Sequence, residues 1–216
     1  MTDQGENLLS ATQLATLEST FRRGSASASE ALAKWIGKPS VVDFDSLEQL
    51  PMEEATELLT RGDDAPICSC SMQIQGIITG EMILAFDDAS GWALADILLD
   101  NPQGTTTEWT ELTTSAALET TNILCCAYLN ALQQSLSVGS ESQEVVPTPP
   151  RFSREFAESL MEFVLMGQAI AFDQAILART RFEIDRLAVN WTLLFVPDAE
   201  SMSRLPELLL SGESER

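Results

Sequence analysis

The same succession of elements can be read twice along this chain, and that duplication limits the possible folds more than any single motif. Periodicity predicts a helix over residues 11–36, an extended stretch at 40–44, a short acidic helix at 52–60, strands at 67–78 and 81–86, and a helix at 89–99. A second series follows: a helix over 110–136, an extended segment at 144–146, a helix at 153–165, strands at 168–184 and 187–196, and a closing helix at 202–210. Strand alternation supports this reading, with Cys68, Cys70, Met72, Ile74 and Gly76 facing one way and Met82, Leu84 and Phe86 doing so on the next run. Thr79-Gly80 and Asp185-Arg186 stand where hairpin turns are needed, and the loop from Asp100 to Thr107 joins the halves. The expected architecture is a pseudo-symmetric α+β domain with an antiparallel sheet packed by long helices. It comprises one domain over 11–211, with repeats at 11–100 and 109–211, and tails at 1–10 and 212–216.

A chain of 216 residues, 44% of them hydrophobic, can bury a core of this size. No run approaches the roughly 20 apolar residues that cross a bilayer, and the acidic, polar start lacks signal-peptide character, so a cytoplasmic protein without membrane insertion is expected. Thirty-three acidic against 12 basic residues give a net charge of −21, which repels nucleic acid at long range. Histidine is absent, which removes Ser-His and Cys-His nucleophile pairs and the commonest metal ligand. The cysteines, Cys68, Cys70, Cys125 and Cys126, lack Cys-x-x-Cys spacing and read as free thiols. No glycine-rich phosphate cradle is present. Neither a cofactor nor a metal of its own is expected.

The helix over 110–136 is chemically the most distinctive element. Offsets of four and seven put Ser115, Glu119 and Asn122 on one narrow stripe, continued by Cys126, Asn130, Gln133 and Ser137. The stripe is polar but carries one charge. Its chemistry fits either a solvated face or a surface that meets another protein.

The spacing Ser115, three residues, Glu119, two residues, Asn122, followed later by Pro147, resembles the signature of the CheC/CheX/FliY phosphatases of bacterial chemotaxis. The run from Leu118 to Leu124, followed by Ala127 to Leu132, is similar to the second signature helix of that family. The proline spacing is slightly longer than the usual pattern. The resemblance implies the duplicated fold and hydrolysis of the aspartyl phosphate of a phosphorylated CheY-like receiver. Asn122 would then orient the attacking water, as glutamine does in GTPases. Glu119 would contact the receiver's lysine, Ser115 would line the approach, and Pro147 would shape the neighbouring loop. Mg2+ would belong to the receiver. Two non-enzymatic readings stand beside this one: an adaptor that captures a receiver or a CheD-like partner, and a part of a flagellar switch. The second is weakened because only six residues follow Leu210, too few for the extra domain of FliY-type proteins.

The first helix offers Glu18 within Leu17-Glu18-Ser-Thr-Phe21, but Phe21 and Leu14 take the places expected for the amide and the hydroxyl. A phenyl ring cannot orient water, so this copy is expected to be silent. Phe21 and Leu14 are either core residues or an exposed apolar patch, flanked by Arg22 and Arg23, that serves as a protein-binding or dimer surface. The small residues from Gly24 to Ala28 would let this helix approach its neighbour closely. Trp35, Trp92, Trp109 and Trp191 are expected in packing, and Pro147 to Pro150 as a rigid loop.

Overall fold

The computed structural model describes residues 9–60, 65–136, 144–167, 174–184, 187–189 and 191–211. Helix α1 (Ala11–Ile36) begins at a capping box in which the Ser10 side chain accepts from the Gln13 N–H and the Gln13 side chain bonds back to the Ser10 backbone. The chain continues through β1 (Ser40–Pro51), α2 (Met52–Thr60), β2 (Ile67–Gly76), β3 (Gly80–Phe86) and α3 (Asp88–Leu98). The second half runs α4 (Glu111–Ser135), β4 (Val145–Pro147), β5 (Arg151–Glu155), α5 (Ala157–Gly167), β6 (Gln174–Ile184), β7 (Leu187–Val189), β8 (Trp191–Pro197) and α6 (Ala199–Ser211).

Among the described residues strand pairing is antiparallel throughout, in the order β1-β6-β8-β3-β2-β4, with β5 also on β2 and β7 on β6. The central strand β3 is apolar on both faces. Met82, Leu84 and Phe86 join a core with α1, α3, α4 and α6, whereas Ile83 and Ala85 join a smaller one with α2 and α5. The antiparallel α+β architecture expected from the sequence is therefore present, with helices on both faces of the sheet.

Several segments differ from the sequence reading. Strand β1 continues to Pro51 because a register shift between Phe44 and Ser46 moves the buried position from even residues to Leu47. Residues 153–155 are strand rather than helix: β5 pairs with β2 through Ser153↔Ser69, and helix α5 starts only at Ala157. Tertiary pairing thus overrides local helical preference. The segment 187–196 is two strands, and residues 168–173, with the Asp185-Arg186 turn, lie outside the described residues. Trp35 is exposed, unlike the buried Trp191.

Phe21 lies in the main core, 1% exposed, with ring centroids 5.5 Å from Tyr128 and 5.9 Å from Phe195. Leu14 is partly buried and packs against the same cluster. The apolar patch is therefore not on the surface. The close approach expected of the small-residue run is real, since a Cβ on Gly24 would stand 2.6 Å from Tyr128 Cδ1. One helix gives up its side chain there so that the other can insert a ring.

Two carboxylates pin the frame around α4. Buried Asp96 accepts from the N–H groups of Gly104 (2.8 Å), Thr105 and Thr106 (both 3.0 Å) and from Thr106 Oγ1 (2.7 Å), fixing the loop between the halves. Burial alone would raise its pKa, but these bonds outweigh that cost and lower it. Asp88 accepts from Arg154 Nη2 (2.7 Å), Trp109 Nε1 (2.7 Å) and Cys68 Sγ (3.2 Å), joining α3, β5 and the approach to α4.

Candidate functional site

Helix α4 begins at Thr110, whose side chain accepts from Thr113 N while Thr113 returns to the Thr110 backbone. From this fixed start, Thr113, Ala117, Thr120, Thr121 and Leu124 turn into the core, and the opposite edge presents Ser115 and Glu119 exposed and Asn122 half-buried. Thr120 and Thr121 return their hydroxyls to Ala116 O (2.9 Å) and Ala117 O (2.8 Å), so their polarity is satisfied within the helix.

The proline reaches this edge through β2. Gly76, at φ 116°, has its Cα so close to the neighbouring chain that a Cβ would stand 1.8 Å from Glu144 O. This allows β4 to pair with β2 through Gly76↔Val145 and Ile74↔Pro147. Beyond the strand, Thr148 donates its N–H to Gln73 O (2.9 Å) and accepts from Gln73 N at Oγ1 (3.1 Å), which fixes the turn into Pro149 and Pro150. Helix α4 also holds the strand directly, because Gln133 Oε1 accepts from Val145 N at 3.4 Å.

The result is an open groove of about 460 Å³ lined by Ser115, Leu118, Glu119 and Asn122 on one side and Pro147, Thr148, Pro149 and Pro150 on the other. All four residues singled out in the second half, Ser115, Glu119, Asn122 and Pro147, meet there. The sequence reading did not foresee that Leu118 and Thr148 line it too; the Pro-Thr-Pro-Pro run was the only local signal for the far wall. The rest of the polar stripe is divided. Cys126 is half-buried with Sγ 3.7 Å from Asn122 Oδ1, Asn130 is exposed, Gln133 holds β4, and Ser137 lies outside the described residues.

The groove offers a carboxamide, a carboxylate and a hydroxyl. Such a set can orient water and hold a cation, but it provides no nucleophile paired with a base. The thiols are poor nucleophiles. Burial pushes Cys70 up to about 12, and burial followed by the charge of Glu119 raises Cys126. All four cysteines are free. Among the described residues no group of three or more His, Cys, Asp or Glu is placed to hold a metal ion, and no helix is long and apolar enough to cross a membrane.

Glu18 and Phe21 do not form a second such edge. The caps of α1 and α4 stand 100 residues apart, at Ser10 and Thr110, and the first ten positions of the two helices alternate between buried, half-buried and exposed in the same order. Counted from the caps, the positions matching Ser115, Glu119 and Asn122 are Ala15, Ser19 and Arg22, all exposed, rather than Leu14, Glu18 and Phe21. Glu18 is half-buried and accepts from Arg22 Nη2 at 3.0 Å, and the Arg22 guanidinium lies 5.0 Å from the Phe44 ring centre.

No family model matches the chain, and no curated protein matches it in sequence. Solved structures do match it. Thermotoga maritima FliY aligns with a TM-score of 0.75 at 14% identity, over 95% of this chain and all of that one. The FliM middle domain from H. pylori gives 0.67 at 12% identity over 92% and 99% of the two chains. The chemotaxis protein CheX from Desulfovibrio desulfuricans gives 0.51 at 12% identity over 83% and 99%. The eight-stranded antiparallel sheet and the helices packed on it are thus those of the CheC-like fold, to which this chain belongs together with FliY, the FliM middle domain and CheX.

Proposed function

We propose that this protein is a phosphatase for a phosphorylated CheY-like receiver. One observation carries the reading: Ser115, Glu119, Asn122 and Pro147 line a single open groove. The Asn122 carboxamide holds a water in line with the phosphorus of the receiver's aspartyl phosphate. The water's oxygen bonds to phosphorus, the P–O bond to the aspartyl carboxyl breaks, inorganic phosphate departs with the water's protons, and the free carboxylate stays on the receiver. The receiver contributes the Mg2+ and the lysine. Glu119 contacts that lysine through a charge-assisted hydrogen bond and keeps the surfaces in register. Ser115 and Pro147 shape the approach.

The test is phosphate release from an acyl-phosphorylated CheY-type receiver with substoichiometric protein. The wild type is expected to turn over many receivers. Asn122→Ala should lower the rate about a hundredfold to a thousandfold, the scale set by loss of one preorganised hydrogen-bonding group. Glu119→Ala should weaken docking and rate together. Full activity in Asn122→Ala removes the carboxamide from the mechanism.

A second reading is an adaptor that binds a receiver or a CheD-like partner without hydrolysis. It is favoured by the H. pylori FliM structures of the same fold, solved as FliG-FliM and FliM-SpeE complexes. An adaptor shifts receiver occupancy in proportion to its own concentration and shows no turnover.

A further inference from the structure

Asn122 works only if its carboxamide faces the right way. The terminal torsion of asparagine is broad and roughly two-fold, so a carboxamide at the edge of an open groove samples both orientations unless something breaks the tie. One helical turn further along α4, the Cys126 thiol lies 3.7 Å from Asn122 Oδ1, in position to donate to it. Cys126 does not line the groove and Asn122 does, so the bond ties the carboxamide to its own helix from beside the groove. We infer that Cys126 is a positioning residue: its thiol holds one lone pair of Asn122 Oδ1 and thereby fixes the orientation in which the carboxamide meets the attacking water. This rests on the phosphatase reading of the groove.

The protonation state of the thiol suits the role. Burial, and then the negative charge of Glu119, raise the Cys126 pKa, so at neutral pH the sulfur keeps its proton and can donate. The retained proton makes the thiol slow to oxidise or alkylate. Cys68, Cys70 and Cys125 are buried, so a maleimide that does react under native conditions labels Cys126 first and places its bulk beside Asn122.

The experiment compares wild type, Cys126→Ala and Cys126→Ser by two readouts. Removing one weak donor should lower kcat about threefold to tenfold, with KM for the phosphorylated receiver unchanged, because the bond orients the water and does not bind the partner. Serine keeps a donor at the same place and should restore most of the rate. The second readout needs no receiver: the Asn122 side-chain amide, followed by 15N relaxation, should lose order in Cys126→Ala and recover it in Cys126→Ser. Unchanged side-chain order in the alanine variant overturns the inference, as does an unchanged kcat in a wild type that turns over. If the wild type shows no turnover at all, the phosphatase reading falls, and the amide relaxation alone decides whether Cys126 positions Asn122.

Discussion

Gly76→Ala isolates the step that brings Pro147 to α4. Gly76 sits at φ 116°, where an L side chain is strained by about 1–3 kcal/mol. Its Cβ would also stand 1.8 Å from Glu144 O and 2.9 Å from Glu144 C, both backbone atoms that no rotamer change can move aside. The strand must therefore shift as a unit, breaking the Ile77 N to Glu144 O bond (3.3 Å) and loosening the Gly76↔Val145 pair. Two lost hydrogen bonds at about 1 kcal/mol each bring the total to roughly 3–5 kcal/mol. That is a large share of the 5–15 kcal/mol typical of a domain. Gly37→Ala is the matched control: φ is 72°, but nothing lies within 4 Å of the new Cβ, so its cost is about 1–2 kcal/mol from backbone conformation alone. Urea unfolding of both variants measures the difference, and receiver dephosphorylation under native conditions should fall in Gly76→Ala only. A midpoint shift in Gly76→Ala no larger than that in Gly37→Ala would refute the claim that close approach of β4 sets this wall of the groove.

Two further outcomes concern the frame. Arg154, followed by the opposing effect of burial and the bonds from Trp109 and Cys68, holds the Asp88 carboxyl down at about 2. Its stabilisation is complete above the unfolded carboxyl value near 4 and is lost as pH falls towards 2. Because Arg154 is 44% exposed and screened, Asp88→Asn should cost about 2 kcal/mol at neutral pH, and the wild-type advantage in urea midpoint over this variant should shrink between pH 4 and 2. Phe21→Ala should cost about 3–5 kcal/mol in thermal or urea unfolding, the usual price of emptying a ring-sized core site. Its sedimentation behaviour should be that of the wild type; altered self-association in a stably folded Phe21→Ala protein would return the residue to an interface.

Strong periodicity made most of the fold legible. The long amphipathic runs of α1 and α4 and the alternation of Met82, Leu84 and Phe86 announced their elements and their buried faces. What escaped was decided by partners distant in sequence. Arg151 to Glu155 carries no apolar alternation and is a strand only because β2 is there to pair with it. Residues 45–51 break the alternation of β1 because of its register shift, which no local pattern marks. Three of the four groove residues singled out from the sequence, Ser115, Glu119 and Asn122, stood on one helix and could be found by counting. The approach of Pro147 to them depends on Gly76 and Gln133, whose roles appear only when Glu144 and Val145 are in place.

The first helix shows how far a matching word can mislead. Leu17-Glu18-Ser-Thr-Phe21 copies the order of Leu118-Glu119-Thr-Thr-Asn122, yet it lies one residue nearer to its N-cap, a rotation of about 100° around the helix. That rotation takes Phe21 under the helix, to the position held in α4 by the buried Thr121, and turns Arg22 outward where α4 has Asn122. The volumes follow the same exchange: α1 contributes a phenyl ring and the gap at Gly24, while α4 contributes a small threonine and the Tyr128 ring that fills this gap, its hydroxyl 2.7 Å from Ser25 Oγ. The caps fix which face each helix buries, and the residue types then decide what the opposite edge can do. On α1 that edge carries a guanidinium already held by Glu18 and the Phe44 ring. On α4 it carries a carboxamide that faces a proline wall across an open groove.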